Sequence, residues 1–352
     1  MTIHEDILVF AERMECQELH MVIDPPTGLR AVVAIHSTKL GPALGGCRWI
    51  SYPTTEQAAI DAIRLAQGMT YKSAISGLNL GGGKAVLLRP DKPVDRTAYF
   101  QAFGRFLEVL NGRYITAVDM GTTTNDMDII ETQTSYVTST THGSYSSPNP
   151  SPLTALGVKR GIEAAVKHKL GKNTLEGVHV AIQGAGHVGS QLAKLLTNEH
   201  AKVSITDINN EAVKFCVDNF GVTPVDSKED IYSIECDVFA PCALGASLNK
   251  ESIPKIKAPI VAGAANNQLE EPEDAERLLE RQILYAPDFV INAGGIIYVA
   301  GQHIKNSESE TRDHIVQIYD ILLKIFERAD KEKQSTYEIA HVIADERLRS
   351  SV

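Results

Sequence analysis

The sequence predicts an α/β protein of two domains, the second of them a doubly wound parallel sheet. A chain of 352 residues exceeds what a single core of ordinary size holds. Its first part mixes strand and helix patterns, whereas the part after about residue 150 alternates them, which requires crossover connections between parallel strands. Between the two parts runs TSTTHGSYSSPNPSP (138–152), which cannot continue a helix or a central strand.

Patterning in the first part predicts a hairpin followed by two helices. Apolar alternation over 20–35 flanks the turn cluster PPTG, which is typical of two paired strands. Apolar residues at helical spacing fill 55–67, with Thr54 or Thr55 as N-cap, and 94–110, which ends at an Asn-Gly pair typical of a C-cap.

The second part predicts strands and helices in turn. Strand patterns at 178–183, 202–206, 238–240, 260–262 and 289–291 accompany helical patterns at 187–198 and 209–219. Two further amphipathic helices are predicted at 312–329 and 336–349. We expect a first domain over 1–138, completed by a C-terminal helix at 333–352, and a second domain over 139–332.

Composition and charge exclude several classes of partner. The net charge of −10 would repel a phosphate backbone and gives no attraction to anionic lipid. Neither nucleic acid nor a membrane is therefore an expected partner. The five cysteines are scattered and form no metal-ligand spacing, so we expect no metal and a reducing compartment. The first ten residues carry two acids and no basic flank, unlike a targeting segment, which favours the cytoplasm.

A glycine motif in the second part predicts a dinucleotide site. It follows the strand HVAIQ and opens the helix SQLAKLL, and it consists of Gly184, Ala185, Gly186, His187, Val188 and Gly189. In such a turn the backbone approaches a pyrophosphate at a helix N-terminus. Asp207 ends the next strand, where it can accept hydrogen bonds from ribose hydroxyls, and Ile208 follows with no arginine for a 2′-phosphate. This Rossmann-type arrangement favours NAD over NADP. The alternative is a glycine turn that binds no nucleotide.

Three glycine-rich segments of the first part, at 40–46, 68–72 and 80–84, include the two lysines that stand out. Glycines beside a charged residue allow backbone to approach a small ligand while the side chain reaches in. Lys72 and Lys84 are the candidates. A single lysine is usually a solvated surface residue, but three consecutive glycines before Lys84 are difficult to explain as surface.

The segments LGPALGGCR, DAIRLAQGMTYK, GLNLGGGKAV, GRYITAVDMGT, NPSPLTALGV, APCALGA, AGAANNQL and YAPDFVINAGG occur in this order. In order and spacing they resemble the leucine dehydrogenase branch of the Glu/Leu/Phe/Val amino-acid dehydrogenase family. The resemblance implies oxidative deamination of an apolar L-amino acid with NAD, and a homo-oligomer, octamer or dimer, formed through the first domain. That domain would also bind the substrate.

The resemblance also implies roles for individual residues. Lys72 would hold the substrate carboxylate, Lys84 would be the catalytic lysine and Asp119 would exchange the proton of the amino group. A lysine base must lose its proton near neutral pH, which burial and a neighbouring cation favour. The implied substrate-binding residues are Leu44, Gly45, Gly46, Met69, Ala117, Asn266, Ile296 and Val299. The implied residues at the nicotinamide end are Thr154, Ala240, Asn266 and Asn292.

Apolar residues at the matching pocket positions indicate a branched aliphatic substrate: leucine, isoleucine or valine. Glutamate-specific relatives have a lysine where Leu44 stands here, and without it a buried carboxylate would have no partner. A phenylalanine, tryptophan or valine dehydrogenase of the same family remains the alternative, because pocket volume separates such substrates only weakly. The chain departs from the family at Val118, where many members carry an acid, and we expect this to tune the pocket.

Other interpretations stay open on the residues alone. Asp119 is also consistent with a simple turn aspartate, and the Asn-Asn pair at 266–267 with a plain turn. A hydroxy-acid dehydrogenase would share the nucleotide domain, but it commonly uses a histidine base with an arginine for the carboxylate. A non-catalytic NAD-binding scaffold is the alternative from another class.

Overall fold

The computed structural model describes residues 6–142, 149–225 and 230–350. By its internal contacts the chain forms two compact units. The first comprises Met1–Pro148, Val299–Glu308 and Ala344–Val352, and the second Asn149–Tyr298 and Ser309–Ile343. The domain limits expected from sequence, 1–138 with 333–352 and 139–332, stay predictions, and part of the predicted linker, 143–148, lies outside the described residues.

The first unit is built on a five-stranded mixed sheet. Its strands are β1 (Glu18–Asp24), β2 (Leu29–Ser37), β3 (Ala43–Ile50), β4 (Gly81–Leu88) and β5 (Tyr114–Val118). They lie in the order β1-β2-β4-β3-β5, with β3 parallel to both β4 and β5. β1 and β2 form the predicted antiparallel hairpin. The accompanying helices are α1 (Ile7–Arg13), α2 (Thr55–Ile75), α3 (Arg96–Val109) and α4 (Thr124–Glu131).

Helix α2 runs past the predicted end at residue 67 and continues to Ile75. Thr54 caps it by accepting a hydrogen bond from the backbone N–H of Gln57. Gly68 lies directly after the predicted end, but it is exposed and its backbone is helical. The extension matters because it places the segment 68–72 on a rigid helix instead of a loop.

The sheet of the first unit buries a different core on each face. Ala85 and Leu87 of β4 pack into the cluster formed with α3 and α4, whereas Val86 packs against the alanine-rich face of α2. Side chains along a strand point alternately to its two faces. Lys84 therefore points to the α2 face.

The second unit is a six-stranded parallel sheet flanked by helices. Its strands are β6 (His179–Gln183), β7 (Lys202–Thr206), β8 (Thr223–Pro224), β9 (Val238–Pro241), β10 (Ile260–Val261) and β11 (Leu284–Tyr285). Their order in the sheet is β11-β10-β9-β6-β7-β8. Successive strands are added to one side of β6 up to β8 and to the other side from β9 onward, so the order of addition reverses between β6 and β9. In doubly wound sheets this reversal marks the crevice where ligands bind. The predicted fold class is confirmed.

The remaining helices follow the strands. They are α5 (Ser151–Leu170), α6 (His187–Asn198), α7 (Asn210–Phe220), α8 (Asp274–Glu280), α9 (Asp288–Ile291), α10 (Gly294–His303), α11 (Glu308–Val316), α12 (Ile318–Glu332) and α13 (Thr336–Ser350). No helix among the described residues is long and apolar enough to cross a membrane.

Two sequence-based assignments in this unit are wrong in detail. The run 289–291, expected as a strand, is helix α9, and the strand is β11 instead. Pro287 is the N-cap residue of this helical turn, and the carboxylate of the buried Asp288 accepts from the N–H of Phe289. The single helix expected at 312–329 is two helices, α11 and α12, which meet at Gln317.

The first testable prediction concerns Asp126, which is 1% exposed and closes the capping box at the start of α4. Its carboxylate accepts from Arg96 Nε at 2.6 Å and from the Thr123 N–H at 2.7 Å. We expect Asp126→Ala to lower the free energy of unfolding by about 2–4 kcal/mol, because a cap and a charge-assisted hydrogen bond are lost together. Urea unfolding followed by circular dichroism measures this.

Asp218→Ala is the matched control. Asp218 is 56% exposed and forms an i,i+4 pair with Lys214 on α7, and ion pairs exposed to solvent contribute little to stability. Equal losses in the two variants would contradict a structural role for the Arg96–Asp126 pair.

Candidate active site

An ion pair between the buried Lys84 and the half-buried Asp119 is the centre of the site in the first unit. Lys84 on β4 is 6% exposed, and its Nζ lies 2.6 Å from Asp119 Oδ2. Asp119 directly follows β5, with β3 between the two strands. Two of the residues implied by the resemblance are thus in direct contact.

Gly46 on β3 provides the space for this contact. Since Cys47 pairs with Ala85, Gly46 lies beside Lys84 in the sheet. A Cβ atom on Gly46 would stand 2.7 Å from the Asp119 Cβ, closer than carbon atoms approach without displacement. Position 46 therefore requires a residue without a side chain, because the Asp119 carboxylate packs there.

The backbone of Asp119 is fixed by Thr122. The Asp119 N–H donates to Thr122 Oγ1 at 2.9 Å, and that hydroxyl donates in turn to the Cys47 carbonyl at 3.0 Å. Val118, the position that departs from the family pattern, packs against the apolar core on the opposite face. The turn after β5 thus holds Asp119 on the α2 face and adds no second carboxylate at position 118.

Arg48 is a third charged residue of the site, which the sequence analysis missed. Its Nε donates to Asp119 Oδ2 at 2.8 Å, and its Nη1 donates to Asp61 Oδ2 on α2 at 3.2 Å. The hydroxyl of Tyr52 also donates to Asp61 Oδ2. A sequence signal was available: Arg48 lies two positions after Gly46, so both face the same side of β3.

The surrounding charges set the protonation state of Asp119. Burial alone would raise its pKa, but the nearby Lys84 ammonium and Arg48 guanidinium outweigh burial and lower the pKa below its ordinary value. For Arg48 the effects have the opposite sign. Burial alone would lower its pKa, but the Asp119 and Asp61 carboxylates outweigh burial and raise the pKa above its ordinary value. Asp119 is therefore ionised at neutral pH.

Helix α2 carries Met69 and Lys72 along one face. They lie one helical turn apart, and Asp61 lies three turns before Lys72 on the same side. The Met69 Cγ is 3.5 Å from where a Cβ of Gly45 would stand. Met69, Gly45 and the Asp61 contact to Arg48 therefore place this face of α2 over the glycine-rich part of the sheet.

The other implied substrate residues of the first unit are apolar. Leu44 on β3 is 1% exposed, and Ala117 on β5 pairs with Gly46. The Val299 carbonyl accepts a hydrogen bond from Thr138 Oγ1 at 3.4 Å. Asn266 and Ile296 belong to the second unit, where Ile296 is 7% exposed.

In the second unit the glycine motif lies at the carboxyl end of β6, beside the reversal of strand order. Gly184 has φ +112°, and a Cβ there would meet the Cys242 carbonyl carbon at 2.8 Å. Gly186 is the N-cap residue of α6, which has no side-chain cap, and a Cβ on Gly186 would meet nothing within 4 Å. His187 is exposed, and Val188 and Gly189 continue the first turn of α6. The free N–H groups of this turn suit a pyrophosphate.

The carboxylate of Asp207, which directly follows β7, is oriented by two backbone N–H groups. Its Oδ2 accepts from the Ala185 N–H at 2.6 Å and its Oδ1 from the Asn209 N–H at 2.8 Å. Each carboxylate oxygen keeps capacity for another donor such as a ribose hydroxyl. The adjacent Ile208 is 86% exposed, so apolar surface is available to a ligand.

Two of the four residues implied at the nicotinamide end, Asn292 and Asn266, are in direct contact beside an unpaired polar atom. Asn292 Nδ2 donates to Asn266 Oδ1 at 2.9 Å, while Asn292 Oδ1 is buried and has no partner within the described part of the chain. A Cβ on Gly295 would lie 3.2 Å from Thr154 Oγ1. Ala240 lies on β9, which pairs with β6. A buried acceptor without a partner fits the amide N–H groups of a nicotinamide carboxamide.

Cys242 lies beside the glycine motif, next to Gly184 and Gly189. All five cysteines are free thiols, and burial raises the pKa of Cys242 to about 12, which keeps it protonated. Over residues 6–142, 149–225 and 230–350, no group of three or more potential ligands could hold a metal ion.

Comparison with known proteins gives the class to which this fold and site belong: an amino-acid dehydrogenase that uses a nicotinamide cofactor. Residues 14–136 match the model of the Glu/Leu/Phe/Val dehydrogenase dimerisation domain. Residues 204–350 match the model of the glutamate/leucine/phenylalanine/valine dehydrogenases. The chain belongs to the Glu/Leu/Phe/Val dehydrogenase family, as its sequence motifs predicted.

Individual relatives agree over nearly the whole length. The chain is 48% identical over 345 residues to leucine dehydrogenase of Geobacillus stearothermophilus, covering 98% of this chain and 94% of that one. The crystal structure of L-tryptophan dehydrogenase from Nostoc punctiforme is similar with a TM-score of 0.88 at 38% identity, covering 98% and 99%. A hetero-hexameric glutamate dehydrogenase from Thermus thermophilus shares the fold, with a TM-score of 0.76 at 22% identity, covering 96% and 89%.

The second prediction tests the space at Gly46. We expect Gly46→Ala to lower kcat at least about tenfold, because the added methyl group displaces the Asp119 carboxylate from its partners and small misplacements of catalytic groups are costly. Steady-state kinetics with leucine and NAD measures this, and circular dichroism checks the fold.

Gly68→Ala is the control for Gly46→Ala. Gly68 is an exposed residue of α2, and a Cβ there would meet nothing within 4 Å. This variant is expected to keep wild-type kcat and to gain helix stability of about 1 kcal/mol. A fully active Gly46→Ala enzyme would refute the steric argument.

Proposed function

We propose that the protein catalyses the NAD-dependent, reversible oxidative deamination of branched-chain L-amino acids (leucine, isoleucine and valine) to 2-keto acids and ammonia. The observation that carries this proposal is the contact of 2.6 Å between the buried Lys84 amine and the Asp119 carboxylate. It occurs in a chain 48% identical to a leucine dehydrogenase over 345 residues. A buried titratable pair in a chain of this family is a candidate acid–base site.

The residues divide the reaction between them. Lys72 binds the substrate α-carboxylate. The glycine turn, Asp207 and Asn292 would hold the nicotinamide cofactor, which would supply the acceptor for the hydride of Cα. Lys84 takes a proton from the water that attacks the resulting imine carbon. Asp119 takes a proton from the substrate amino group and later returns one to the nitrogen. The nitrogen then leaves as ammonia when the C–N bond breaks. Burial of Lys84 keeps competing bulk water from the amine.

The proposed substrate class rests on the apolar pocket residues. Leu44 and Ala117 are buried, and neither can pair with a substrate side-chain carboxylate. Glutamate would then bury an unpaired charge, which costs several kcal/mol, on the order of a hundredfold or more in affinity. Aromatic substrates are the runner-up, supported by 42% identity over 325 residues to an L-tryptophan dehydrogenase.

NAD is the proposed cofactor because Asp207 ends β7 with an exposed isoleucine beside it. Its negative charge favours the ribose hydroxyls and repels a 2′-phosphate. The glycine turn supplies N–H groups for the pyrophosphate, and the orphaned acceptor of Asn292 suits the carboxamide.

A homo-oligomer, octamer or dimer, formed through the first domain is proposed for the assembly. Residues 14–136 match a model described as a dimerisation domain. The edge strand β1 also exposes apolar side chains, with Met21 at 60% and Ile23 at 71%. A cytoplasmic location is proposed on the strength of five unpaired thiols.

The third prediction tests the activity itself. Leucine, isoleucine and valine are expected to reduce NAD in preference to phenylalanine, tryptophan and glutamate when the purified protein is assayed by absorbance of NADH. Lys84→Ala should lower kcat by at least about a thousandfold, because the water loses its base. Lys39→Ala, on an exposed turn of the same unit, is the control and should stay active. Absence of turnover in the wild type with every amino acid of the panel would favour a non-catalytic NAD-binding scaffold.

The fourth prediction concerns cofactor choice. Asp207→Asn keeps one acceptor oxygen but removes the charge, so the preference for NAD over NADP in kcat/KM should fall by about tenfold or more. Asp218→Asn removes the same charge at an exposed position of α7 and should leave the ratio unchanged. A wild-type enzyme that prefers NADP would overturn the assignment of Asp207.

A further inference from the structure

We propose that Arg48 is a positioning residue that gives Asp119 a permanent counter-charge, so that Lys84 can release its proton without loss of the carboxylate's ionised state or orientation. Asp61 and Tyr52 hold Arg48 in place for this task. The inference rests on the proposed function, because it concerns how the proposed base is enabled. Arg48, Asp61 and Tyr52 thereby support the pair of Lys84 and Asp119.

The first support is that Arg48 bridges two carboxylates on different elements. From β3 it reaches Asp119 after β5 at 2.8 Å and Asp61 on α2 at 3.2 Å. Its side chain is only 21% exposed. A guanidinium with two fixed acceptors is restricted in orientation. Arg48 therefore ties the end of β5 to α2.

The second support is that both cations contact the same oxygen of Asp119. Lys84 Nζ lies 2.6 Å and Arg48 Nε 2.8 Å from Oδ2. Because both hydrogen bonds end on Oδ2, the other oxygen, Oδ1, is the one that exchanges a proton with the substrate nitrogen. Oδ2 acts as the anchor.

The third support is the difference in chemistry between the two cations. Lys84 must be neutral to take a proton from water, and in that state it no longer balances the charge of Asp119. Arginine does not lose its proton in proteins. Arg48 consequently keeps Asp119 ionised in both protonation states of Lys84, and its positive charge also opposes return of the proton to the amine.

Tyr52 completes the support of Arg48 from the far side. It donates its hydroxyl hydrogen to Asp61. Burial and the hydrogen bond to Asp61 raise the pKa of Tyr52, so the hydroxyl remains a donor throughout the working pH range. The charges that lower the pKa of Asp119 belong to Lys84 on β4 and Arg48 on β3. Cys47 on β3 and Tyr114 on β5 also interact with its charge, whereas Asp61 on α2 and Tyr52 after β3 interact with Arg48.

The fifth prediction is a pH profile of Arg48 variants, measured as log kcat for leucine oxidation with saturating NAD. In Arg48→Met we expect kcat to fall at least about tenfold. The acidic limb of the pH profile of log kcat should move to higher pH by about one unit. The reason is that loss of the Arg48 charge stabilises the protonated forms of both Lys84 and Asp119. KM for leucine should change less than about threefold, since Lys72 binds the carboxylate.

Two further variants separate charge from orientation. Arg48→Lys keeps the positive charge but cannot bridge both acids, so kcat should fall about threefold or more while the acidic limb stays at its wild-type position. Asp61→Asn loosens the anchor without removing the cation, and it should lower kcat without moving the limb upward. If Arg48→Met does not fold, these two variants carry the test, and wild-type kcat in both would overturn the proposal.

Arg113→Met is the matched control, because Arg113 pairs with Glu18 at the opposite end of β5. It should retain the wild-type profile. A profile of Arg48→Met that superimposes on that of Arg113→Met overturns the proposal, and so does a fall in kcat with no movement of the limb. Either result with an active wild type leaves the proposed function intact, whereas a wild type that turns over no amino acid overturns both.

Discussion

A carboxylate shared between two cations constrains the arrangement of the whole first unit. Asp119 is an anion largely removed from water, and buried charges are tolerated only where they are paired and hydrogen-bonded. The strand order β4-β3-β5 brings its partners Lys84 and Arg48 to one face of the sheet. Gly46 keeps the space between them open. The chemistry therefore depends on strand order and register as much as on residue identity.

The start of the second unit is specified by local sequence signals, which explains why its sequence was easier to interpret. The predicted limits of α6 and β7 agree with the structure, because a glycine turn between a buried strand and an amphipathic helix is a local signal. The error at 289–291 arose where the signal was not local. A short apolar run is compatible with strand or helix, and only the pairing of β11 with β10 decides between them.

The charged centre of the first unit was only half predictable for a related reason. Lys84 and Asp119 belong to motifs recognisable in order and spacing, so both were named from sequence. Arg48 and Asp61 meet because α2 lies over the sheet, and no pattern within either segment specifies that contact. The length of α2 was underestimated at its exposed glycine, since a glycine in a helix lowers stability without ending the helix. Packing decided both outcomes.

The two cations beside Asp119 are not interchangeable, and this asymmetry suits a reversible proton transfer. A lysine can gain and lose its proton when its surroundings are desolvated, whereas an arginine holds its charge. If both positions carried lysine, the carboxylate would lose its permanent counter-ion, and if both carried arginine, the site would have no base. The distances of 2.6 Å and 2.8 Å to a single oxygen place the titrating and the permanent cation side by side. The site thus separates the group that moves the proton from the group that keeps the electrostatic field constant while it moves.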